Sequence, residues 1–484
     1  MIFNSISFII FLIIVVLVYW RLPKTARLWL ITLSSLLFYG FWKPEYTLLL
    51  IFAAVLDYFI ANGIDRLEDP VKRKRLLIIS LVLNLGILFY FKYLVFFKDN
   101  FETVLNSFGN NVRLLPYLKI ILPIGISFYT FETISYTVDV YRKHIKPEKN
   151  FISYLSFLVF FPHLIAGPVL RASDILPQFN VKRKFEWSHI IEGFRRIMTG
   201  LFLKVVLADN ISPLVDQGFA IEADKLSALD IWTLSFLFGF QIYFDFCAYS
   251  SIAIGAARMM GIRFLENFNF PYMAVSPKAF WKRWHISLSN WIKDYVYLPL
   301  TGKKVSYDQQ YSISEIRNSS SFKGYAALFL TWALMGFWHG ANWTFIVWGI
   351  YHAVLVTIHR GISGFTKGIS KPLLNISGWC LSLPFLMLGW IPFRVTDLST
   401  VKAYFFKIFY PSQYSWLGMR ENVYVVTSLI MLFCILAYLV DKYVVPSIEN
   451  TIVGQFANVI QMTFVVAMVI VFLRPISQFI YFQF

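Results

Sequence analysis

The sequence predicts an all-α polytopic membrane protein with roughly 10 to 13 membrane helices, some of them broken or re-entrant. Three observations carry this. Hydrophobic residues make up 58% of the 484 positions and charged residues only 15%, against roughly 45–50% and about 25% in a soluble globular chain. Apolar runs of near-spanning length recur from end to end, so one anchored soluble domain does not account for the surplus. The basic residues sit in short loops between those runs. A bilayer core offers no partner for a bare peptide group, which leaves helices or closed barrels, and apolar runs of this length point to helices.

The apolar segments fall at 2–20, 28–42, 46–62, 76–97, 117–138, 151–170, 190–208, 229–257, 325–338, 343–359, 373–393, 421–440 and 455–473. The first has no basic residue ahead of its apolar run and no small-residue cleavage site after it; Arg21, Lys24 and Arg27 follow instead. That order predicts a retained first span rather than a cleaved signal. The whole of 1–484 reads as a single membrane-embedded domain. Within it lie N-terminal helices (1–150), a core (151–360) carrying a polar loop at 301–323, and C-terminal helices (361–484).

Loop charge sets the expected topology. The loops at 21–27, 63–75 and 139–150 hold twelve Lys and Arg, and the connections between them hold four: Lys43, Lys98, Arg113 and Lys119. The three rich loops are expected on the cytoplasmic side and the N-terminus outside. A formal charge of +17 is therefore read as membrane topology and not as nucleic-acid binding. Cys247, Cys380 and Cys434 lie in apolar surroundings without metal-ligand spacing and read as buried thiols. No metal site is expected.

Ionisable residues in lipid cost about 2.5–3.5 kcal/mol on insertion scales, so each needs a reason. They concentrate in three places. In Phe160–Arg171, Pro162, Gly167 and Pro168 preclude a regular helix. His163 and Arg171 then either face a wet cavity or belong to an interfacial loop with a snorkelling Arg. In Phe280–Tyr295, Trp281, Trp284, His285, Leu288, Trp291 and Ile292 recur at helical spacing. That predicts an amphipathic helix with His285 on its buried face, serving either as an anchor or in chemistry. In Gly336–Thr344, His339 joins two apolar segments beside Trp338, Gly340 and Asn342. Gly340 admits unusual backbone angles or a closely approaching ligand. A neutral imidazole there can exchange a proton near pH 7, or simply hold a structural hydrogen bond. His352 and His359 read as packing or interfacial residues. Asp245 calls for a cation, Arg258 or another, in a structural pair or as the orienter of a catalytic group.

No phosphate-binding glycine loop, nucleophile elbow or His-Glu-x-x-His pair occurs. What does occur is FPHLIAGPVLR from Phe161, DFCAYSSIAIGAARMMGIRFLENFNFPY from Asp245, FWKRWHISLSNWIKDYVYLPL from Phe280, GFWHGANWTFIVWG from Gly336 and FIYFQF from Phe479. Together, and in that order, these resemble the membrane-bound O-acyltransferase superfamily, alginate O-acetyltransferase type. The resemblance implies a helical fold around a central tunnel, with catalytic His339 between a cytoplasmic thioester donor and an external acceptor hydroxyl. His285 looks like a second catalytic position. His285, or Asn342, would stabilise developing oxygen charge, and Trp338, Trp284, His163, Arg171 and Asp245 would support or line the tunnel.

The resemblance also implies acetyl-CoA or a carrier thioester as donor and no bound cofactor. It further implies an external SGNH-hydrolase-like partner, polysaccharide-synthesis machinery alongside, and the cell's inner membrane as location. The acceptor would be an exported polysaccharide such as alginate or cellulose. A proton-relaying transporter or flippase, a non-catalytic scaffold of a secretion complex, and the same fold acylating peptidoglycan, a lipid or a protein hydroxyl stand as alternatives.

Overall fold

The computed structural model describes residues 1–109, 113–114, 120–303, 322–362, 370–473 and 479–480. These residues form helices and connecting segments with no strand among them, and the helices gather into two compact units.

The first unit holds Met1–Ile197 and Ser250–Leu265. Its helices are α1 (Ile6–Arg21), α2 (Lys24–Gly40), α3 (Pro44–Arg66), α4 (Pro70–Leu88), α5 (Leu94–Ser107), α6 (Ile126–Tyr141), α7 (Phe151–Val159), α8 (Phe161–Leu164), α9 (Ala172–Asn180) and α10 (Trp187–Leu201), the last crossing into the second unit. Local chemistry marks the starts. Ser5 caps α1 by accepting from the Phe8 amide at 3.1 Å, Asp69 caps α4, and Asn150 caps α7. Pro44 and Pro70 open α3 and α4, where a missing N–H costs nothing. One buried carboxylate ties three helices: Asp57 of α3 accepts from Ser80 (2.6 Å) and Asn84 (2.9 Å) of α4 and from Thr137 of α6 (3.3 Å). The sequence reading passed over this residue.

Tyr58 of α3 donates to the Lys149 carbonyl (2.6 Å) just before α7, and Ser156 of α7 donates to the Leu28 carbonyl (3.1 Å) near the start of α2, so the loops at 21–27 and 63–75 lie toward one end of this unit. Hydrogen bonds bring further basic segments to them. Arg73 reaches the Tyr141 carbonyl (2.8 Å), Lys149 reaches Asp65 (3.3 Å), and Lys24 and Arg27 hold the carbonyls of Asn180 (2.7 Å) and Arg183 (3.0 Å).

The second unit holds Met198–Tyr249 and Glu266–Phe484. After a π-helical turn at Phe202–Ala208 come α11 (Asp209–Phe219) and α12 (Ala228–Met259), whose last turns belong to the first unit. There follow α13 (Pro277–Trp281), α14 (Ile286–Ile292), α15 (Leu298–Thr301), α16 (Phe322–His339), α17 (Trp343–Ile362), α18 (Lys371–Leu388), α19 (Ile391–Arg394), α20 (Leu398–Lys407), α21 (Glu421–Leu439), α22 (Val445–Ile448) and α23 (Ile452–Val471). The polar loop expected at 301–323 lies mostly outside the described residues.

Among the described residues, eight helices are long and apolar enough to cross a membrane. The sequence estimate is higher because it counted short segments. Helices α1, α2 and α6 have only 16, 17 and 16 residues, about 24–26 Å at 1.5 Å per residue, against a core of about 30 Å. The segment at 151–170 breaks between α7 and α8, as Pro162 demands. The amphipathic helix expected across 280–295 is not continuous. It stops at Trp281 and restarts at Ile286, because His285 adopts φ +41°. The expectation of three buried thiols holds only for Cys434, since Cys247 is half-buried and Cys380 of α18 is exposed.

Helices α16 and α17 pack backbone to backbone. A Cβ on Gly336 would sit 2.1 Å from the Phe345 carbonyl oxygen, and one on Gly349 would sit 2.1 Å from that of Trp332. Without a hydrophobic drive between helices in lipid, such close approach is what holds a pair together. Gly349→Ala should therefore force the pair apart and cost about 1–3 kcal/mol, the usual range for overpacking. Thermal unfolding in detergent checks this, and an unshifted midpoint would contradict the contact.

Candidate active site

His285 sits at the corner between α13 and α14, 1% exposed. Its Nδ1 lies 3.1 Å from Asn267 Oδ1, which also accepts from the Ser287 amide (3.3 Å) and hydroxyl (2.9 Å). A backbone amide can only donate, so the Asn267 atom facing it must be oxygen, and the imidazole must donate through Nδ1. Nε2 is then left with a lone pair, and it is buried with no partner among the described residues. With Nδ1 donating, a neutral ring presents Nε2 as an acceptor. The expectation that it donates to a developing oxyanion thus needs a second proton on the ring, which burial opposes.

His339 ends α16 and is 8% exposed. Rings of Trp338 (5.0 Å), Trp348 (5.1 Å) and Phe393 (5.2 Å) surround it, each nearer edge-on than stacked. The cluster continues from Trp348 to Trp390 (6.3 Å) and from Trp390 to Trp284 (4.7 Å), the neighbour of His285. One aromatic body of the second unit therefore touches both segments that carry the proposed histidines. It also encloses His352, fully buried among Trp281 (5.0 Å), Trp332 (5.7 Å) and Trp348 (4.9 Å), with neither ring nitrogen hydrogen-bonded among the described residues. Gly340 serves closeness to the Phe345 ring, whose Cε2 would lie 2.1 Å from an added Cβ, rather than an unusual backbone angle.

The remaining sequence-expected residues have the following partners. Asn342 accepts from the Thr344 amide (3.0 Å) at the start of α17 and donates to the Thr396 carbonyl (3.1 Å), so its amide is engaged at both ends. Asp245 pairs with Lys204 (2.6 Å) and not with Arg258, which binds Glu192 (2.6 Å). Lys204, in the π-helical turn at 202–208, also holds Asp209 (2.9 Å) and lies over the Phe479 ring (4.5 Å). Asp245 in turn accepts from the Ile480 amide (2.6 Å). His163 and Arg171 belong to the first unit. His163 is fully buried against Glu132 (3.2 Å), and Arg171 precedes α9. Among the described residues no group of three or more His, Cys, Asp or Glu is arranged for a metal ion.

Sequence reasoning missed Asn267, Trp348, Lys204 and Glu132. Two had signals. Glu132 is a carboxylate inside an apolar segment, and Lys204 is the matching cation for Asp245. Asn267 and Trp348 carry none, since their importance comes from what the fold places against them.

The fold is thus a broken, polar-studded helical membrane core with a histidine at a helix junction. The chain belongs to the membrane-bound O-acyltransferase family, whose sequence profile matches residues 86–382. It is 37% identical over 442 residues to the probable alginate O-acetylase AlgI of Pseudomonas aeruginosa, covering 91% of this chain and 80% of the relative. It is 35% identical over 408 residues to the peptidoglycan O-acetyltransferase of Helicobacter pylori, covering 79% and 73%. It is 30% identical over 260 residues to the teichoic acid D-alanyltransferase of Bacillus subtilis, covering 52% and 62%. The protein is an acyltransferase and a multi-pass membrane protein.

Removing one member of a buried ion pair strands the other, at about 3–5 kcal/mol. Lys204→Met should lower the yield and thermal stability of purified protein sharply, with Lys204→Arg intermediate. Wild-type stability in Lys204→Met would contradict a structural role for the pair.

Proposed function

We propose that the protein carries an acetyl group from a cytoplasmic thioester, acetyl-CoA, through the membrane toward an exported saccharide hydroxyl. His339 is the catalytic base. The observation that carries this reading is the pair of buried histidines, His339 and His285, joined to one aromatic cluster in a protein whose relatives are named for O-acetylation. The basic loops gathered at one end of the first unit support a cytoplasmic face there and an external N-terminus. They fit the cell's inner membrane as the location.

In the proposed step His339 takes the proton of the acceptor hydroxyl as its oxygen attacks the thioester carbonyl. The tetrahedral intermediate collapses, the carbon–sulfur bond breaks, and His339 returns the proton to the departing thiolate. The negative charge on the intermediate's oxygen needs a donor. Trp348 Nε1–H, buried beside His339 without an acceptor among the described residues, supplies it. His285 offers the Nε2 lone pair to a second hydroxyl of the acceptor and so orients the first. The final acceptor is an alginate-like polysaccharide, and the peptidoglycan relative's comparable identity supports a saccharide in either case. The hydroxyl acetylated at His339 is then an intermediate carrier, from which an SGNH-hydrolase-like partner outside the membrane moves the acetyl group to the polysaccharide; this part rests on family resemblance.

Radiolabelled acetyl-CoA given to membranes containing the protein, its partner and a polysaccharide acceptor tests the scheme. His339→Ala should lose about 10²–10⁴-fold in acetyl transfer, the range for general-base assistance, while protein level holds. Near wild-type turnover in that variant refutes the assignment. Trp348→Phe keeps a ring but removes the donor. It should lower kcat about 10²–10³-fold with KM little changed, as loss of one oxyanion donor does.

A further inference from the structure

The first unit carries a second candidate site, built from residues that have no part in the chemistry proposed above. Between α9, the start of α10 and the turn after α12 lies an open pocket of about 440 Å³. Lys182, Arg183, Lys184, Arg258 and Arg263 line it with His189, and Glu186 is the single carboxylate among its lining residues. Arg258 is already matched by Glu192 (2.6 Å). Lys182, Lys184 and Arg263 form no ion pair among the described residues. His189 stacks on Trp20 at 6.0 Å, and its buried Nδ1 has no hydrogen-bond partner among the described residues.

The frame is built rather than loose. Gln178 donates to the Arg263 carbonyl (2.8 Å) and accepts from the Arg263 amide (2.9 Å), while Arg183 donates to the Gln178 carbonyl (2.6 Å). Gly261, at φ +74°, leaves the floor open, since a Cβ there would lie 2.9 Å from Arg183 Cδ. Like charges held this close repel unless an anion joins them. Burial first, then the Arg258 and Arg27 charges, pushes the Arg183 pKa down, against the opposing pull of Tyr19.

We propose that this pocket binds a phosphate group. Three guanidinium groups and two ammonium groups suit the multiple charges and tetrahedral oxygens of a phosphate ester better than a single carboxylate, since Arg forks onto phosphate oxygens in pairs. The rim points to the membrane surface. Phe185 and Trp187 are 45% and 70% exposed and touch at 5.2 Å, the aromatic signature of an interface. The site lies at the end of the unit where the basic loops gather, through the Arg27 bond to Arg183 (3.0 Å). Anionic phospholipid headgroups and soluble phosphate esters both present this chemistry there. The proposal does not depend on the roles given to His339 or Trp348.

The test uses full-length protein with two probes: nanodiscs containing phosphatidylglycerol against phosphatidylcholine alone, and inorganic pyrophosphate followed calorimetrically. Wild-type protein should bind at least one probe, more weakly as salt rises. Lys184→Gln with Arg263→Gln should weaken that binding at least about tenfold, in line with the several-fold worth of each basic residue near an anionic surface. Both side chains are outside the packed core, so the fold should hold. Loss confined to phosphatidylglycerol identifies a headgroup, and loss confined to pyrophosphate identifies a soluble ester. Lys72→Gln with Lys74→Gln, also at this end of the unit, should change binding less than about twofold. An equal loss in that control, unchanged binding in the pocket variant, or no binding of either probe would overturn the proposal.

Discussion

A single carboxamide oxygen decides what the His285 corner can do. Asn267 Oδ1 receives the Ser287 amide, the Ser287 hydroxyl and His285 Nδ1. Because the amide donor cannot reverse, the tautomer of the imidazole follows from backbone geometry and not from ambient pH. The left-handed backbone at His285 swings the ring out of the helix that its neighbours begin and end, into reach of Asn267. Strain of this kind costs about 1–3 kcal/mol and persists only where surroundings over-determine it. Here three hydrogen bonds and a shell of rings do so.

The aromatic cluster around His339 leaves the ring only 8% exposed. Trp338, Trp348 and Phe393 present edges and faces to the ring, so any charge formed there lies in a medium where each fixed dipole counts for more than in bulk water. The cluster stands on the glycine contact between α16 and α17. Separating those helices would shift Trp332 and Trp348 together, because both pack across that seam. Stability of the helix pair and placement of the imidazole are thus the same constraint.

The helical class, the family and the broken segment around Pro162 were legible because composition and proline act locally. The corner at His285 was not. Periodicity of Trp281, Trp284, Trp291 and Ile292 predicts a continuous helix, and the structure breaks it at His285, whose ring meets Asn267. His285 was still placed correctly as buried, since burial follows from the aromatic pattern whichever backbone delivers it. Asp245 shows the opposite case. The need for a cation could be read from one carboxylate in an apolar run, but the choice of Lys204 over Arg258 depends on a π-helical turn at 202–208 that no sequence period reveals. His352, read as packing, is indeed packed, yet in a form that leaves two nitrogens without hydrogen bonds among the described residues.

Cations in this chain are handled in two ways, and the contrast separates structure from binding. Lys204 is 2% exposed and sits between two carboxylates and the face of Phe479, so its charge is compensated within the fold. Arg258 likewise has Glu192. The pocket framed by Gln178 has the same excess of positive charge as a topology loop, but its backbone is cross-linked and its floor is kept open by Gly261. Loop lysines that only set orientation in a bilayer gain nothing from such a frame, because the positive-inside effect depends on charge count and not on geometry. Fixed geometry around uncompensated charge matters when something with fixed geometry binds there. That asymmetry, more than the charge itself, distinguishes the pocket from the rest of the basic face.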